Sequence, residues 1–244
     1  MGDRPDKSGS FRLFNRLSRK YDFLNHLFSA GQDIFWRRKA VRYLPEHFSG
    51  ILLDVACGTG DFLLAALHAR SAGSFPAVAL DPARNMLRLA RKKAGKRSGS
   101  HAILFTEGVA TALPLPSNSA SAVTIAFGIR NVANFRAGLR EMYRVLHPGG
   151  RAILLEFSLP GNPVLKWIYL LYFRYILPVL GGLLSGDFPA YRYFNLTVEE
   201  FPYGQAFCEE LERAGFCRVR HIPLTFGVAT IYLGEKPEEA GRGG

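Results

Sequence analysis

Ile51-Leu52-Leu53-Asp54-Val55-Ala56-Cys57-Gly58-Thr59-Gly60-Asp61 is the stretch on which the reading of this 244-residue chain turns. Its first half is an aliphatic run, the mark of a strand buried in a parallel sheet. Cys57-Gly58-Thr59-Gly60 is a small turn-forming segment, and Asp61-Phe62-Leu63-Leu64-Ala65-Ala66-Leu67 opens a helix. Strand, glycine turn and helix in that order begin a nucleotide-type α/β domain. Glycine serves there in two ways. It accepts positive φ in a tight turn, and it lets a ligand lie against bare backbone.

The same stretch narrows the ligand. A dinucleotide fingerprint needs Gly-x-Gly-x-x-Gly, and Leu63 stands at the third glycine position. No Gly-Lys-Ser/Thr follows, which excludes a phosphate loop of the Walker type. Asp54 lies inside the apolar strand, where an unpaired carboxylate is costly. It is expected to hold loop amides or a cationic group of the ligand. Asp81 closes the next apolar run, Ala77-Val78-Ala79-Leu80. It falls about 20 residues past the turn, where an acid commonly binds ribose hydroxyls. A loop without phosphate-binding features and an acid for ribose suit S-adenosylmethionine better than NAD. The plainer alternative is a generic α/β loop with Asp54 as a structural cap.

A hydrophobic content of 48% over this length supports one large domain or a domain with appendages. The formal charge of +11 suits nucleic acid, an anionic membrane surface or an acidic substrate. Aromatics at 13% lean toward a greasy or planar ligand, although aromatics are usually core. Cys57, Cys208 and Cys217 form no Cys-x-x-Cys pair, which argues against a disulfide framework and a zinc site and for a reducing cytoplasm. The polar N-terminus is no signal peptide, and Asp6 does not fit a myristoylation site.

Residues 1–10 read as disordered. From Phe11 the apolar residues Phe14, Leu17, Tyr21, Leu24 and Leu27 recur at helical spacing, and a second helix is expected over residues 34–44. This arm, residues 11–48, either covers a substrate cavity or packs on the sheet edge. Alternating strands and helices then predict a doubly wound parallel sheet. Asp81-Pro82 starts a helix over residues 84–93. Its cluster of Arg88, Arg91, Lys92, Lys93, Lys96 and Arg97 is either a solvated face or a phosphate-binding one. Strands follow at residues 103–105 and 122–126, with Phe127-Gly128-Ile129-Arg130-Asn131 at the carboxyl end of the latter, where open α/β sheets bind ligands. A helix over residues 135–146 ends at His147-Pro148-Gly149-Gly150, and a strand over residues 151–157 follows.

Residues 163–185 are the most hydrophobic stretch, but Lys166, Arg174 and Pro178 interrupt it, which weighs against a spanning helix. With Trp167, Tyr169, Tyr172 and Tyr175 it reads as an interfacial or lid helix. The alternative is a core or dimer-interface helix. A helix over residues 205–214, an antiparallel hairpin over residues 218–233 and a frayed tail at residues 237–244 complete the reading.

These residues together resemble the ubiquinone/menaquinone biosynthesis C-methyltransferase family, class I enzymes dependent on S-adenosylmethionine. The resemblance runs over residues 11–236. It is carried by Phe14-Asn15-Arg16-Leu17-Ser18-Arg19-Lys20-Tyr21-Asp22, by Gly31-Gln32-Asp33-Ile34-Phe35-Trp36-Arg37-Arg38, by the glycine turn, and by Asp81-Pro82-Ala83-Arg84-Asn85-Met86. Phe127-Gly128-Ile129-Arg130-Asn131-Val132 is its most diagnostic segment, and Leu224-Thr225-Phe226-Gly227-Val228 completes it. It implies a Rossmann-like fold with a mostly parallel seven-stranded sheet, an N-terminal helical arm and a helical lid insertion over residues 160–200. It implies S-adenosylmethionine at Asp54, Gly58, Thr59, Gly60, Asp81, Met86, Val109, Ala110 and Phe127, and no metal. The family usually has Asn or Asp where Val109 stands and Ser where Ala126 stands, so one adenine contact is expected to be missing.

The reaction implied is C-methylation of a prenylated quinol ring, with demethylmenaquinol favoured over, or alongside, a benzoquinol. The enzyme must align methyl and ring carbon, and something must receive the hydroxyl proton or hold the oxyanion. Arg130 stays protonated, so it is expected to hold a phenolate or polarise a water that Asn131 and Asp61 orient. The rivals are a nucleic-acid methyltransferase, supported only by charge, and a non-catalytic quinone-binding protein on the same fold. The expected partners are the quinol and an anionic membrane surface, without nucleic acid, and a homodimer is compatible with the lid. The expected location is cytoplasmic, at the inner face of the membrane.

Overall fold

The structure, a computed structural model, describes residues 9, 11–13, 15–16, 18, 22, 25–26, 29–69, 75–95, 102–185 and 187–238. The expected disorder of residues 1–8 and 10, the residues Phe14, Leu17, Tyr21, Leu24, Leu27, Lys96 and Arg97, and the tail from residue 239 lie outside the described residues.

The described strands form a seven-stranded sheet in the order β3-β2-β1-β4-β5-β7-β6. They are β1 (Ile51–Val55), β2 (Ala77–Asp81), β3 (Ile103–Glu107), β4 (Ala120–Ala126), β5 (Leu146–Phe157), β6 (Cys217–Leu224) and β7 (Ala229–Glu235). The first five pair in parallel, and β7 enters antiparallel between β5 and β6. Strands β1, β2 and β4 are almost wholly buried. That is why they read as unbroken aliphatic runs rather than as alternating ones.

The helices are α1 (Gln32–Ala40), α2 (Asp61–Ala69), α3 (Arg84–Ala94), α4 (Phe135–Val145), α5 (Pro163–Leu171), α6 (Leu177–Ser185), α7 (Phe188–Glu200) and α8 (Gln205–Arg213). One apolar cluster joins Trp36 and Val41 to Phe62 and Leu63 on one face of the sheet. A second joins Leu139 and Met142 to Phe207 and Leu211 on the other. The arm therefore packs on the sheet through α1, which ends in a tight turn at Val41–Tyr43.

Boundaries differ from the sequence reading: α1 spans Gln32–Ala40 and is followed by the tight turn Val41–Tyr43, where one helix was expected over residues 34–44. Helix α4 stops at Val145 and β5 begins at Leu146, because the residues before the Pro-Gly-Gly segment already extend toward β4. The lid is also more broken than one helix. A π turn, Tyr172–Ile176, separates α5 from α6. Pro178 supplies no N–H for the Arg174 carbonyl, so the α ladder cannot run straight through. By length and composition Pro163–Leu183 would nonetheless suffice to cross a membrane. Its charges are partnered: Lys166 reaches the Tyr203 hydroxyl at 3.1 Å, and Arg174 pairs with Glu199 at 2.5 Å. The lid packs on itself and on Leu159 through a third apolar cluster of Leu159, Phe173, Leu177, Ala190 and Val198.

Candidate active site

At the carboxyl ends of β1, β2 and β4, where the strand order reverses, a cavity of about 230 Å³ opens. Such a reversal leaves a crevice because the flanking connections run to opposite faces of the sheet. The cavity wall contains Asp54, Gly58, Thr59, Asp61, Asp81, Met86, Val109, Ala110, Phe127 and Asn131. Ten of the sequence-selected residues thus meet in one place.

Asp54 is fully buried on β1. Its Oδ1 accepts the Thr124 hydroxyl at 2.7 Å from β4, while Oδ2 has no hydrogen-bond partner among the described residues. Burial pushes its carboxyl up to about 7, with the help of the Asp81 charge and against the Thr124 hydrogen bond, the Arg37 charge and the Leu63 backbone. A buried oxygen without a donor, facing a cavity, fits a cationic or N–H-bearing ligand group.

Asp81 ends β2 and holds the turn. Its Oδ2 accepts the Gly58 N–H and its Oδ1 the Ala83 N–H, each at 2.8 Å. Burial raises its carboxyl to about 6, opposed by those two N–H groups. A carboxylate has accepting capacity beyond these bonds, so ribose hydroxyls can still be bound. Gly58 has φ +56°, and a Cβ there would meet no protein atom within 4 Å, so the space above it belongs to the cavity. Gly60 is outside the wall. Its φ is +84°, and a Cβ would stand 3.1 Å from the Ala90 Cβ, so this glycine lets α3 approach.

The arm reaches the same turn. The Thr59 hydroxyl donates to Asp22 Oδ1 at 2.5 Å and accepts from Lys93 Nζ at 2.9 Å. Lys93 also pairs with Asp22 and Asp61, each at 2.6 Å. Lys93 is therefore an internal cross-link and not part of a solvated or phosphate-binding face, unlike the exposed Arg88, Arg91 and Lys92. Asn15 bonds Asn85 at the start of α3, Arg16 pairs with Asp187 ahead of α7, and Phe11 lines the cavity. The arm both packs on the sheet and borders the cavity.

Ala56 and Phe127 directly follow β1 and β4, with φ of +49° and +57°. Left-handed backbone costs a non-glycine residue about 1–2 kcal/mol, so strain is stored at the rim. Gly128 makes room between them: a Cβ there would stand 2.8 Å from the Ala56 Cβ.

Arg130 is placed differently from the sequence expectation. It is absent from the cavity wall and 3% exposed. Its Nη1 donates to Glu156 Oε1 at 2.5 Å and to the Phe127 carbonyl at 2.6 Å. Its guanidinium lies over the rings of Phe157 and Phe194 at 5.2 and 4.9 Å. The turn Ile129–Asn131 sends successive side chains in different directions, so Asn131 faces the cavity while Arg130 faces Glu156.

One charged wall residue was missed by sequence reasoning. Arg37 lines the cavity from α1, next to the Phe127 ring at 5.3 Å. The available signal was Asp33 and Arg37 at i,i+4 spacing on the face that also carries Trp36 and Ala40. Among the described residues no group of His, Cys, Asp and Glu could hold a metal ion.

The ubiE/COQ5 methyltransferase family matches residues 6–236. The chain is 45% identical over 225 residues to a demethylmenaquinone methyltransferase of Thermus thermophilus, covering 92% of this chain and 100% of that one. It is 43% identical over 224 residues to a ubiquinone/menaquinone biosynthesis C-methyltransferase UbiE of Geobacter sulfurreducens, covering 92% and 87%. Among solved structures, a SAM-dependent methyltransferase of Thermotoga maritima superposes with a TM-score of 0.63 at 20% identity, over 93% of this chain and 99% of that one. With a family match over nearly its whole length and relatives of this identity, the chain belongs to the ubiE/COQ5 methyltransferase family.

Proposed function

We propose that this protein C-methylates a prenylated quinol ring with S-adenosylmethionine, converting demethylmenaquinol to menaquinol, and that a benzoquinol precursor of ubiquinone is its second candidate substrate. The observation that carries the reading is the convergence of an unpartnered Asp54 oxygen, Asp81 and the bare Gly58 backbone in one cavity. The names of the similar proteins supply the substrate class.

The cofactor, when bound, supplies an electrophilic methyl group on a sulfonium centre. In this reading Asp54 takes its cationic amino-acid end, and Asp81 takes the ribose hydroxyls. Met86, Val109 and Ala110 flank the adenine, Gly58 and Gly60 give the turn its shape, and Thr59 and Phe127 close the remaining sides. Asn131 and Asp61 orient a water beside the ring hydroxyl, which lets the proton leave as the ring carbon becomes nucleophilic. Arg130 acts from behind, as a positioning residue for Phe127 and Asn131. The test is methyl transfer by the purified protein to prenylated demethylmenaquinol, to a benzoquinol and to RNA. Transfer to RNA alone would refute the quinol assignment.

Asp54 gives this reading a pH dependence. Its raised carboxyl means that the ionised form is penalised in the free fold, so the free protein loses stability as pH rises from the ordinary carboxylate range through about 7. A bound cation reverses that penalty. Cofactor affinity is therefore expected to climb with pH up to about 7, by as much as about tenfold per unit, and then to level off. Calorimetric titrations from about pH 5.5 to about pH 8.5, roughly one and a half units either side of neutrality, check it. The slope should become shallower in Asp54→Asn, the remainder coming from Asp81, whose carboxyl is raised to about 6, and a flat wild-type profile would remove Asp54 from the cation site.

The substrate's prenyl tail resides in a bilayer, so the protein must reach the interface. The lid presents Trp167 at 66% exposure and Leu183 at 71%, with Ile168, Leu171, Ile176 and Val179 also exposed. An apolar face of this size beside a basic surface supports peripheral binding to the inner, anionic face of a membrane. Cytoplasmic residence follows from that reading. Co-sedimentation with anionic vesicles is expected at low salt, weaker at high salt and lost in Trp167→Ser/Leu183→Ser. Wild type that stays in the supernatant while forming dimers would assign the face to a homodimer instead.

A further inference from the structure

We propose that Arg37 is the anion-holding residue of the cavity. Its guanidinium would receive a negatively charged ligand oxygen, either the carboxylate of the cofactor's amino-acid end or the ring oxygen that loses its proton. Asp33, His26 and Ser29 keep it in position. This inference rests on the cofactor-and-quinol reading above.

The charges on the wall carry the argument. Its carboxylates are Asp54, Asp61 and Asp81, and Arg37 is its only cation among the described residues. The Asp61 charge is already met by Lys93. Both ligands nevertheless bring an anionic oxygen into a largely buried space, where a charge without a counter-charge is costly. Arg130, the other arginine near the carboxyl end of β4, is committed to Glu156 and does not line the wall. Arg37 is left to answer that oxygen.

Its setting is prepared for the task. Arg37 Nη1 donates to Asp33 Oδ2, and no further hydrogen bond of the guanidinium occurs among the described residues. A guanidinium presents several N–H donors in a fixed fork, so most of them remain for a ligand. Asp33 is 1% exposed and accepts from His26 Nδ1 at 2.8 Å and from the Ser29 hydroxyl at 2.8 Å. An ionised carboxylate is only an acceptor, so that histidine nitrogen is the donor. Burial raises the Asp33 carboxyl, but the His26 bond and the Arg37 charge bring it below its ordinary value, so it stays ionised and holds the arginine. On the other side, the Phe127 ring lies 5.3 Å from the guanidinium carbon. Helix α1 itself is pinned by the Trp36 indole N–H, which donates to the Thr225 hydroxyl at 2.8 Å.

The test uses the full-length protein and the variants Arg37→Gln and Arg37→Lys. Each is titrated calorimetrically with S-adenosylmethionine and with decarboxylated S-adenosylmethionine, and kcat and KM are measured with the quinol. If the oxygen belongs to the cofactor, Arg37→Gln loses tenfold or more in affinity for the intact cofactor and little for the decarboxylated one, on the scale of about one charge-assisted hydrogen bond. If it belongs to the ring, cofactor affinity holds while kcat falls on the order of a hundredfold, as for a lost oxyanion donor. Arg37→Lys should show the same selective pattern to a smaller degree, and it carries the test if Arg37→Gln does not fold. Asp33→Asn should reproduce the selectivity weakly. Wild-type behaviour in both assays, or equal loss for both cofactors without a change in kcat, overturns the proposal. Wild type that binds cofactor but methylates no quinol refutes the functional reading and leaves the titrations interpretable.

Discussion

Arg130→Ala is expected to destabilise the fold by about 3–5 kcal/mol, the range for removing one partner of a buried ion pair. The magnitude comes from what stays behind. Glu156 is fully buried, and its Oε1 lies 2.5 Å from the lost guanidinium. The Phe157 N–H at 2.9 Å and the Arg130 N–H at 3.3 Å still reach it, but neither brings a charge. The Phe127 carbonyl also loses a donor at 2.6 Å. Equilibrium unfolding in urea should show a lower midpoint with little change in slope. Arg130→Met combined with Glu156→Gln should recover much of the loss, since two neutral partners leave no stranded charge. At a temperature where Arg130→Ala is folded, turnover should fall more than cofactor affinity, because Arg130 does not line the wall itself and reaches it only through the Phe127 carbonyl. An unchanged urea midpoint would mean that the pair is not buried in solution.

The second large effect is on cofactor binding. Asp81→Ala should weaken S-adenosylmethionine binding by roughly 1.5–3 kcal/mol or more, the value of hydrogen bonds to a charged group. Stability should fall as well, since Gly58 and Ala83 each lose an acceptor for a backbone N–H. An unsatisfied buried donor costs about 1–3 kcal/mol. Calorimetry and thermal unfolding separate the two effects. Adding S-adenosylhomocysteine should raise the unfolding temperature of wild type far more than that of the variant. Cofactor affinity equal to wild type would remove Asp81 from the ribose site and leave it only the turn.

The sheet was legible because the buried strands β1, β2 and β4 announce themselves as apolar runs, and the glycine turn follows β1 directly. Asp54, Gly58 and Asp81 were legible for the same reason, since local spacing places them at strand ends. Arg130 was not. Its partner Glu156 lies 26 residues away on the next strand, and no local pattern reports that pairing. Arg37 was hidden differently. Within α1 it looks like one more charge in Trp36-Arg37-Arg38, and only the packing of Trp36 into the core shows which of the two arginines turns inward. Helix α7 had local signals, an Asp187 cap and a proline in its first turn, but the aromatic-rich residues around them do not alternate clearly enough to stand out.

The crowding between Ala56 and Gly128 reaches beyond this one chain. The space between the two strand ends admits one methyl group, and Ala56 already fills it. A methyl on Gly128 becomes tolerable only where position 56 has given its own up and the Ile125 side chain, which it would approach to 3.1 Å, shifts by a few tenths of an ångström. Inheritance at these two positions should therefore be joint. Chains that carry alanine at 128 should carry glycine at 56, and the intermediate with both methyls should be the rarely crossed step between them.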